Sequence, residues 1–146
     1  MKQGFVKVAS ATPRIRVADP VYNAQVICEQ AKEAAEHGAK IVVFPELCIT
    51  GYTCNDLFLQ ELLLEKAKEA LLTIAEETGQ LETLFLVGLP VDKDGRLYNV
   101  AAVLYRGRIL GMIPKKNIPM YAEFYEGRHF TPGEETVTEY RLGKQV

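Results

Sequence analysis

The sequence predicts an α/β fold, a largely parallel or mixed sheet with helices packed on it. Three observations carry this prediction. A strand-like segment, a helix-like segment and a second strand follow one another by residue 44, an order that favours strands running the same way. The second of these strands, Ile41–Phe44, is an unbroken apolar run, as expected of a strand covered on both faces. Three later runs, Leu84–Leu89, Leu97–Tyr105 and Arg108–Ile113, are separated by turn residues and supply further strands.

Residues 4–10, GFVKVAS, alternate apolar and polar with Phe5 offset from Val6 and Val8, the period of a strand. Thr12–Ala18 is a polar, basic connection. Asp19-Pro20 reads as a helix start, the acid as N-cap and proline at the first helical position. Ala24, Ile27, Cys28, Ala31, Ala34 and Ala35 then make one apolar face, which Gly38 closes. Ile41–Phe44 ends at Pro45, which has no N–H for a ladder, and the chain at once presents Glu46. A loop holding Gly51 follows. Asn55 or Asp56 can cap a second helix running to about Thr78, with Leu57, Phe58, Leu62, Leu63, Ala67, Ala70, Leu71 and Ile74 apolar. Its charged residues read as a solvated face. Asp92–Gly95 is a turn, and Arg106-Gly107 joins the next two strands. Pro114–Gly133 is a long loop rich in aromatics, Pro and Gly, a length that usually signals function. Glu134–Val146 begins what reads as one more strand, and the chain is expected to be cut there. No internal repeat, low-complexity segment or domain boundary is evident, so residues 1–146 read as a single unit.

At 146 residues, 48% hydrophobic and 25% charged, the chain is long enough for a core and ordinary for a globular domain. A formal net charge of −2 without a basic run gives no electrostatic case for nucleic acid or an anionic membrane. No apolar run reaches spanning length, and MKQGFVKVAS lacks the apolar core of a signal peptide. Three cysteines are too few for a disulfide framework. The expectation is a reduced, cytoplasmic protein.

Two strand ends carry the chemistry. The order strand, proline, ionisable residue occurs twice, in VVFPE and in GMIPK. Glu46 and Lys115 each read either as solvated surface charges or as a base beside a cation, able to activate a nucleophile and hold a developing oxyanion. Within Tyr121–Gly133, the residues Tyr121, Glu123, Phe124, Tyr125 and Glu126 can line a pocket, with Arg128 pairing with either acid, or the loop is simply tied down by its aromatics. His37 and His129 lack any metal-ligand spacing, so no metal site is expected. Cys48 and Cys54 lie near Glu46 as possible nucleophiles, though neither follows a strand directly with a helix start behind it. Phosphate-loop, dinucleotide and GxSxG motifs do not occur.

These motifs together resemble the nitrilase (carbon–nitrogen hydrolase) superfamily. The generic signs are FPEL with Gly51-Tyr52 after it, Pro114-Lys115 after a strand, and Glu126-x3-Phe130-x2-Gly133. NDLFLQ from Asn55 to Gln60 and PKxxIPxYxEFYExR from Pro114 to Arg128 resemble, more narrowly, the N-terminal glutaminase domain of glutamine-dependent NAD synthetases. The resemblance implies part of an α-β-β-α sandwich with mixed sheets and a Glu–Lys–Cys catalytic triad. Glu46 matches the general base, Lys115 the cation, and Glu126 a second glutamate that orients the lysine. Tyr52, Tyr121 and Phe124 match residues near the glutamine pocket, and Lys116 is a bystander. The pair Glu46–Lys115 is expected to be buried.

The sequence departs from the family in one respect, since no cysteine follows Cys54. The expectation is a piece of a glutaminase domain that stops before its nucleophile and is inactive alone. The implied partners are glutamine, a missing C-terminal synthetase domain that uses ATP and Mg, and further copies of the chain in a homo-oligomer. No cofactor is expected in these residues. Two rivals stay open: another nitrilase-family amidase or carbamoyl hydrolase, and a non-catalytic nitrilase-like interaction module.

Overall fold

Five strands and two long helices make up the computed structural model, which describes residues 4–144. Met1–Gln3 and Gln145–Val146 lie outside the described residues, as does the end of the C-terminal strand expectation. The strands are β1 (Val8–Ser10), β2 (Ile41–Val43), β3 (Leu84–Lys93), β4 (Arg96–Tyr105) and β5 (Arg108–Pro114). They form one sheet in the order β1-β2-β3-β4-β5. β1, β2 and β3 are parallel, while β3–β4 and β4–β5 are antiparallel. The mixed sheet follows from its connections. Helix-length crossovers join the first three strands, whereas β3, β4 and β5 are joined by the two-residue turns Asp94-Gly95 and Arg106-Gly107. All four turn residues have positive φ, the backbone of tight hairpin turns that match strand twist.

Helix α1 (Pro20–Glu36) starts as its sequence dictates, with Asp19 Oδ1 accepting from the Tyr22 N–H at 3.1 Å and Pro20 in the first turn. Gly38, at φ +82°, closes it with its N–H on Ala35 O. Helix α2 (Glu61–Glu77) starts later than the sequence predicts. Asn55–Leu59 instead form a separate 3-10 turn, because Asp56 is drawn off to Arg128 and His129. Among the described residues the expected C-terminal strand is not formed: residues 134–144 run irregularly, with an isolated bridge at Leu142.

Both helices cover the same sheet face. Ala24, Ile27, Cys28 and Ala31 of α1 and Ala67, Ala70, Leu71 and Ile74 of α2 are buried with Val42, Phe85, Val87, Leu89, Val100, Ala102 and Leu104. Each fully buried large side chain here contributes about 1.5–3 kcal/mol. Register fixes what the opposite face carries: Val8, Val43, Leu86, Ala101, Val103 and Ile113. None of these is buried, and Val8, Val43 and Ile113 are exposed. The sheet thus has one helix-covered face and one open, apolar face, and the candidate site lies on the open one. Among the described residues no helix is long and apolar enough to cross a membrane.

Candidate active site

Because two antiparallel pairings separate β3 from β5, β5 runs in the same direction as β2 and β3. The C-terminal ends of β2 and β5 therefore emerge on one rim of the sheet, but with β3 and β4 between them. Two features close that gap. After β2 the turn at 45–48 folds over β3 at Gly88, and Ile49 returns to donate to Gly88 O at 3.1 Å. The fit is close: a Cβ on Gly88 would lie 2.4 Å from Leu47 N and 2.8 Å from Pro45 O. Only glycine permits the turn to sit there. At the far end Lys115 N donates to Asn99 O of β4 at 2.8 Å, and Gly133 N to Lys115 O at 2.8 Å. The strand pairing thereby continues one residue past β5.

Glu46 and Lys115 meet as a result. Lys115 Nζ donates to Glu46 Oε1 at 2.7 Å and reaches both Glu126 oxygens at 3.0 Å. Glu126 opens a short 3-10 turn (Glu126–Arg128) and is 7% exposed. Tyr52 donates its hydroxyl to Glu126 Oε1 at 2.6 Å. Asn99 donates its side-chain amide to Glu46 Oε1. One ammonium is thus held between two carboxylates, each of which has a further neutral donor.

The electrostatics follow from this geometry. Burial pulls the Lys115 ammonium down, but its bonds to Glu46 and Glu126 outweigh that and leave it raised. Loss of solvent and the Glu126 carboxylate push the Tyr52 hydroxyl well above its ordinary range. The expected burial of the Glu46–Lys115 pair is not found: their side chains are 40% and 30% exposed. They stand on the uncovered sheet face, so nothing among the described residues roofs them.

Two hollows flank the cluster. One, of about 370 Å³, lies over Gly88, Asn99, Ile113 and Lys115 on the open sheet face. The other, of about 230 Å³, lies between Tyr52, Phe58, Glu123, Phe124 and Glu126. Phe124 borders this second hollow. Tyr121 stacks edge-on against Phe124 at 5.7 Å and is 69% exposed, outside the charged cluster. Arg128 pairs with neither Glu123 nor Glu126. It makes a two-pronged pair with Asp56 at 2.9 Å for each bond, and His129 Nε2 lies 2.9 Å from the same carboxylate. That contact ties the loop carrying Glu126 to the one carrying Tyr52. Lys116 faces Glu135, away from the cluster.

The cysteines are engaged elsewhere. Cys28, Cys48 and Cys54 are unpaired and buried. Cys48 Sγ donates weakly to Gly88 O and Cys54 Sγ to Thr50 O. Burial pushes the Cys28 and Cys48 thiols up to about 11, and raises Cys54 as well. Such thiols are poor nucleophiles at neutral pH. Among the described residues no group of three or more His, Cys, Asp or Glu is arranged to hold a metal ion.

Sequence reasoning missed Asn99 and Gly88. Gly88 did carry a signal, since a glycine inside an apolar strand marks a close backbone approach. Asn99 offered only a polar residue in an otherwise apolar run.

The carbon–nitrogen hydrolase family model matches residues 7–145. The chain belongs to the carbon–nitrogen hydrolase family. It is similar to the glutamine-dependent NAD(+) synthetase of Mycobacterium tuberculosis (strain ATCC 25618 / H37Rv), 39% identical over 97% of this chain and 21% of that protein. Among solved structures of carbon–nitrogen hydrolase relatives, a glutamine-dependent NAD(+) synthetase from Cytophaga hutchinsonii superposes with a TM-score of 0.88 at 30% identity. That match covers 97% of this chain and 24% of the other. An amidase from Nesterenkonia sp. AN1, solved with an acetamide moiety added at its active-site cysteine, superposes at 0.73 with 25% identity, over 89% and 49% of the two chains. This carbon–nitrogen hydrolase chain spans about a fifth to a quarter of the synthetases it matches.

Proposed function

We propose that residues 1–146 are the N-terminal part of a single glutaminase domain, one that hydrolyses the side-chain amide of glutamine and supplies ammonia to an ATP-dependent NAD synthetase. The observation that carries this reading is the ammonium of Lys115 held between Glu46 and Glu126 beside a hollow on the open sheet face. Similarity to proteins named glutamine-dependent NAD(+) synthetases over 97% of the chain supports the choice of amide and of partner. ATP and Mg belong, in this reading, to the synthetase part, and no residue here is assigned to them.

The nucleophile is a cysteine from outside these residues, since Cys28, Cys48 and Cys54 are taken up by the core. Glu46 accepts the thiol proton, and the sulfur attacks the amide carbon as the carbonyl electron pair moves onto oxygen. Lys115 holds that oxyanion. The C–N bond then breaks as Glu46 returns its proton to nitrogen, which releases ammonia and leaves a thioester. Water gives a proton to Glu46 and attacks the thioester, and the departing thiolate recovers the proton as glutamate forms. Glu126, with Tyr52 behind it, keeps the ammonium aimed at the reacting oxygen.

In the whole enzyme, Glu46→Gln or Lys115→Ala is expected to lower glutamine-driven NAD synthesis by about a hundredfold or more. Synthesis driven by added ammonia persists. Undiminished glutamine use in either variant refutes the assignment. The 146-residue piece alone is expected to release no ammonia from glutamine. If the whole protein made no NAD from ammonia yet hydrolysed another amide, the amidase reading would replace this one.

A further inference from the structure

We infer that Asn99 decides which oxygen of Glu46 takes the proton, acting as a positioning residue for the base. This rests on the glutaminase reading above. Asn99 is 3% exposed and lies on β4, at the register position opposite Lys115. It joins the two strand ends through different atoms. Its main-chain oxygen accepts the Lys115 N–H, which fixes where the lysine leaves the sheet. Its side-chain amide donates to Glu46 Oε1. A carboxylate can only accept, so the amide must turn its NH2 towards it.

The consequence lies in where the donors go. Asn99 Nδ2 and Lys115 Nζ both reach Oε1 of Glu46, and among the described residues no donor reaches Oε2. Two donors occupy Oε1 and hold the carboxylate plane fixed. Oε2 accepts from neither donor, on a residue that lines the hollow, and is the oxygen that takes the thiol proton. Without the amide, Glu46 is held by Lys115 alone and can rotate so that the two oxygens exchange. Asparagine also suits the place because it does not titrate, so its donor persists at every working pH. The charged or titratable groups near Glu46 are then Lys115 from the end of β5, Glu126 behind the lysine, and Tyr52 from the loop after β2.

The test uses the whole enzyme with three variants, Asn99→Ala, Asn99→Asp and Glu46→Gln, each assayed with glutamine and with ammonia. Ammonia-driven synthesis reports that the synthetase part is folded, and an unchanged KM for glutamine together with a wild-type thermal unfolding profile reports that the part carrying the buried Asn99 is folded. Asn99→Ala is expected to lower kcat with glutamine by about ten- to a hundredfold, the worth of one hydrogen bond to a charged group, with KM little changed. Asn99→Asp keeps the shape but sets a second carboxylate against Glu46, which disfavours two charges together. It moves the acid limb of the glutamine pH–rate profile upward by about one pH unit or more. A wild-type kcat in Asn99→Ala overturns the inference. So does an Asn99→Asp profile that is lowered equally at every pH with its limb unmoved, the mark of a merely structural role. If Glu46→Gln itself retains glutamine use, the glutaminase reading has failed and not only the role of Asn99.

Discussion

Replacing Gly88 with alanine tests how the site is built, because the structure gives the size of the disturbance. The added Cβ would lie 2.4 Å from Leu47 N, 2.8 Å from Pro45 O and 3.0 Å from the Glu46 carbonyl carbon. All three are main-chain atoms, which cannot swing aside as a side-chain tip does. Ordinary contact begins near 3.4 Å, so the turn must lift by about 1 Å, in a packed interior that transmits such strain. Overpacking of this kind costs about 1–3 kcal/mol of stability. The displaced segment is the one that carries Glu46. A shift of about 1 Å at a catalytic group can cost about a hundredfold in rate. Gly88→Ala in the whole enzyme should therefore lose about a hundredfold in kcat with glutamine, while ammonia-driven synthesis continues. The internal control is Gly111→Ala on β5, where a Cβ meets nothing within 4 Å. It should leave both activities and the urea midpoint near wild type. Glutamine turnover within threefold of wild type in Gly88→Ala, on the scale of about a hundredfold set above, would show that the close approach does not position Glu46.

Further expectations concern single groups. Native protein treated with iodoacetamide at pH 8 should stay unlabelled at Cys28 and Cys48, since thiols raised to about 11 are ionised in roughly one molecule in a thousand, and at Cys54, whose thiol burial also raises. Rapid labelling of Cys48 or Cys54 before denaturation, read by mass spectrometry, would reopen them as nucleophiles. Tyr52→Phe removes the 2.6 Å bond to the buried Glu126 and should cost about 1–3 kcal/mol in urea unfolding, with a lower kcat for glutamine. An unchanged midpoint contradicts the role given to Tyr52. Lys115 is raised in the folded state, so its contribution is complete below the ordinary lysine range and is lost only as pH climbs through the raised value. Thermal midpoints should thus differ between the wild type and Lys115→Met by a constant amount from pH 7 to about 9.5, below the ordinary lysine pKa. A difference that vanishes within that window refutes the shift.

Much of the fold was legible because local rules and packing agree. Asp19-Pro20 starts α1, Asp94-Gly95 and Arg106-Gly107 turn the hairpins, and the apolar runs became strands. The start of α2 was not legible, because Asp56, a sound cap by local rules, is claimed by Arg128 and His129 from a loop remote in sequence. The strand expected after Glu134 is not formed among the described residues, which run irregularly from 134 to 144 apart from the isolated bridge at Leu142. At the site, the strand–proline–charge order drew notice to Glu46 and Lys115. Their meeting depends on the turn crossing β3 at Gly88, which no spacing discloses. Tyr52 reads in the sequence as a pocket residue and does line the second hollow, but that its hydroxyl is given to Glu126 was not legible. Arg128 reads as a partner for a nearby acid, yet it reaches back to Asp56.

The contacts that complete the cluster join residues far apart along the chain: 69 positions for Glu46–Lys115, 74 for Tyr52–Glu126 and 72 for Asp56–Arg128. Contacts of such long range form late, after the entropy of closing large loops has been met. On a ribosome the β1–α1–β2 crossover emerges well before Lys115 does, and for that interval Glu46 can only be solvated by water. Recovery of glutamine turnover on refolding should accordingly lag behind the return of helical signal.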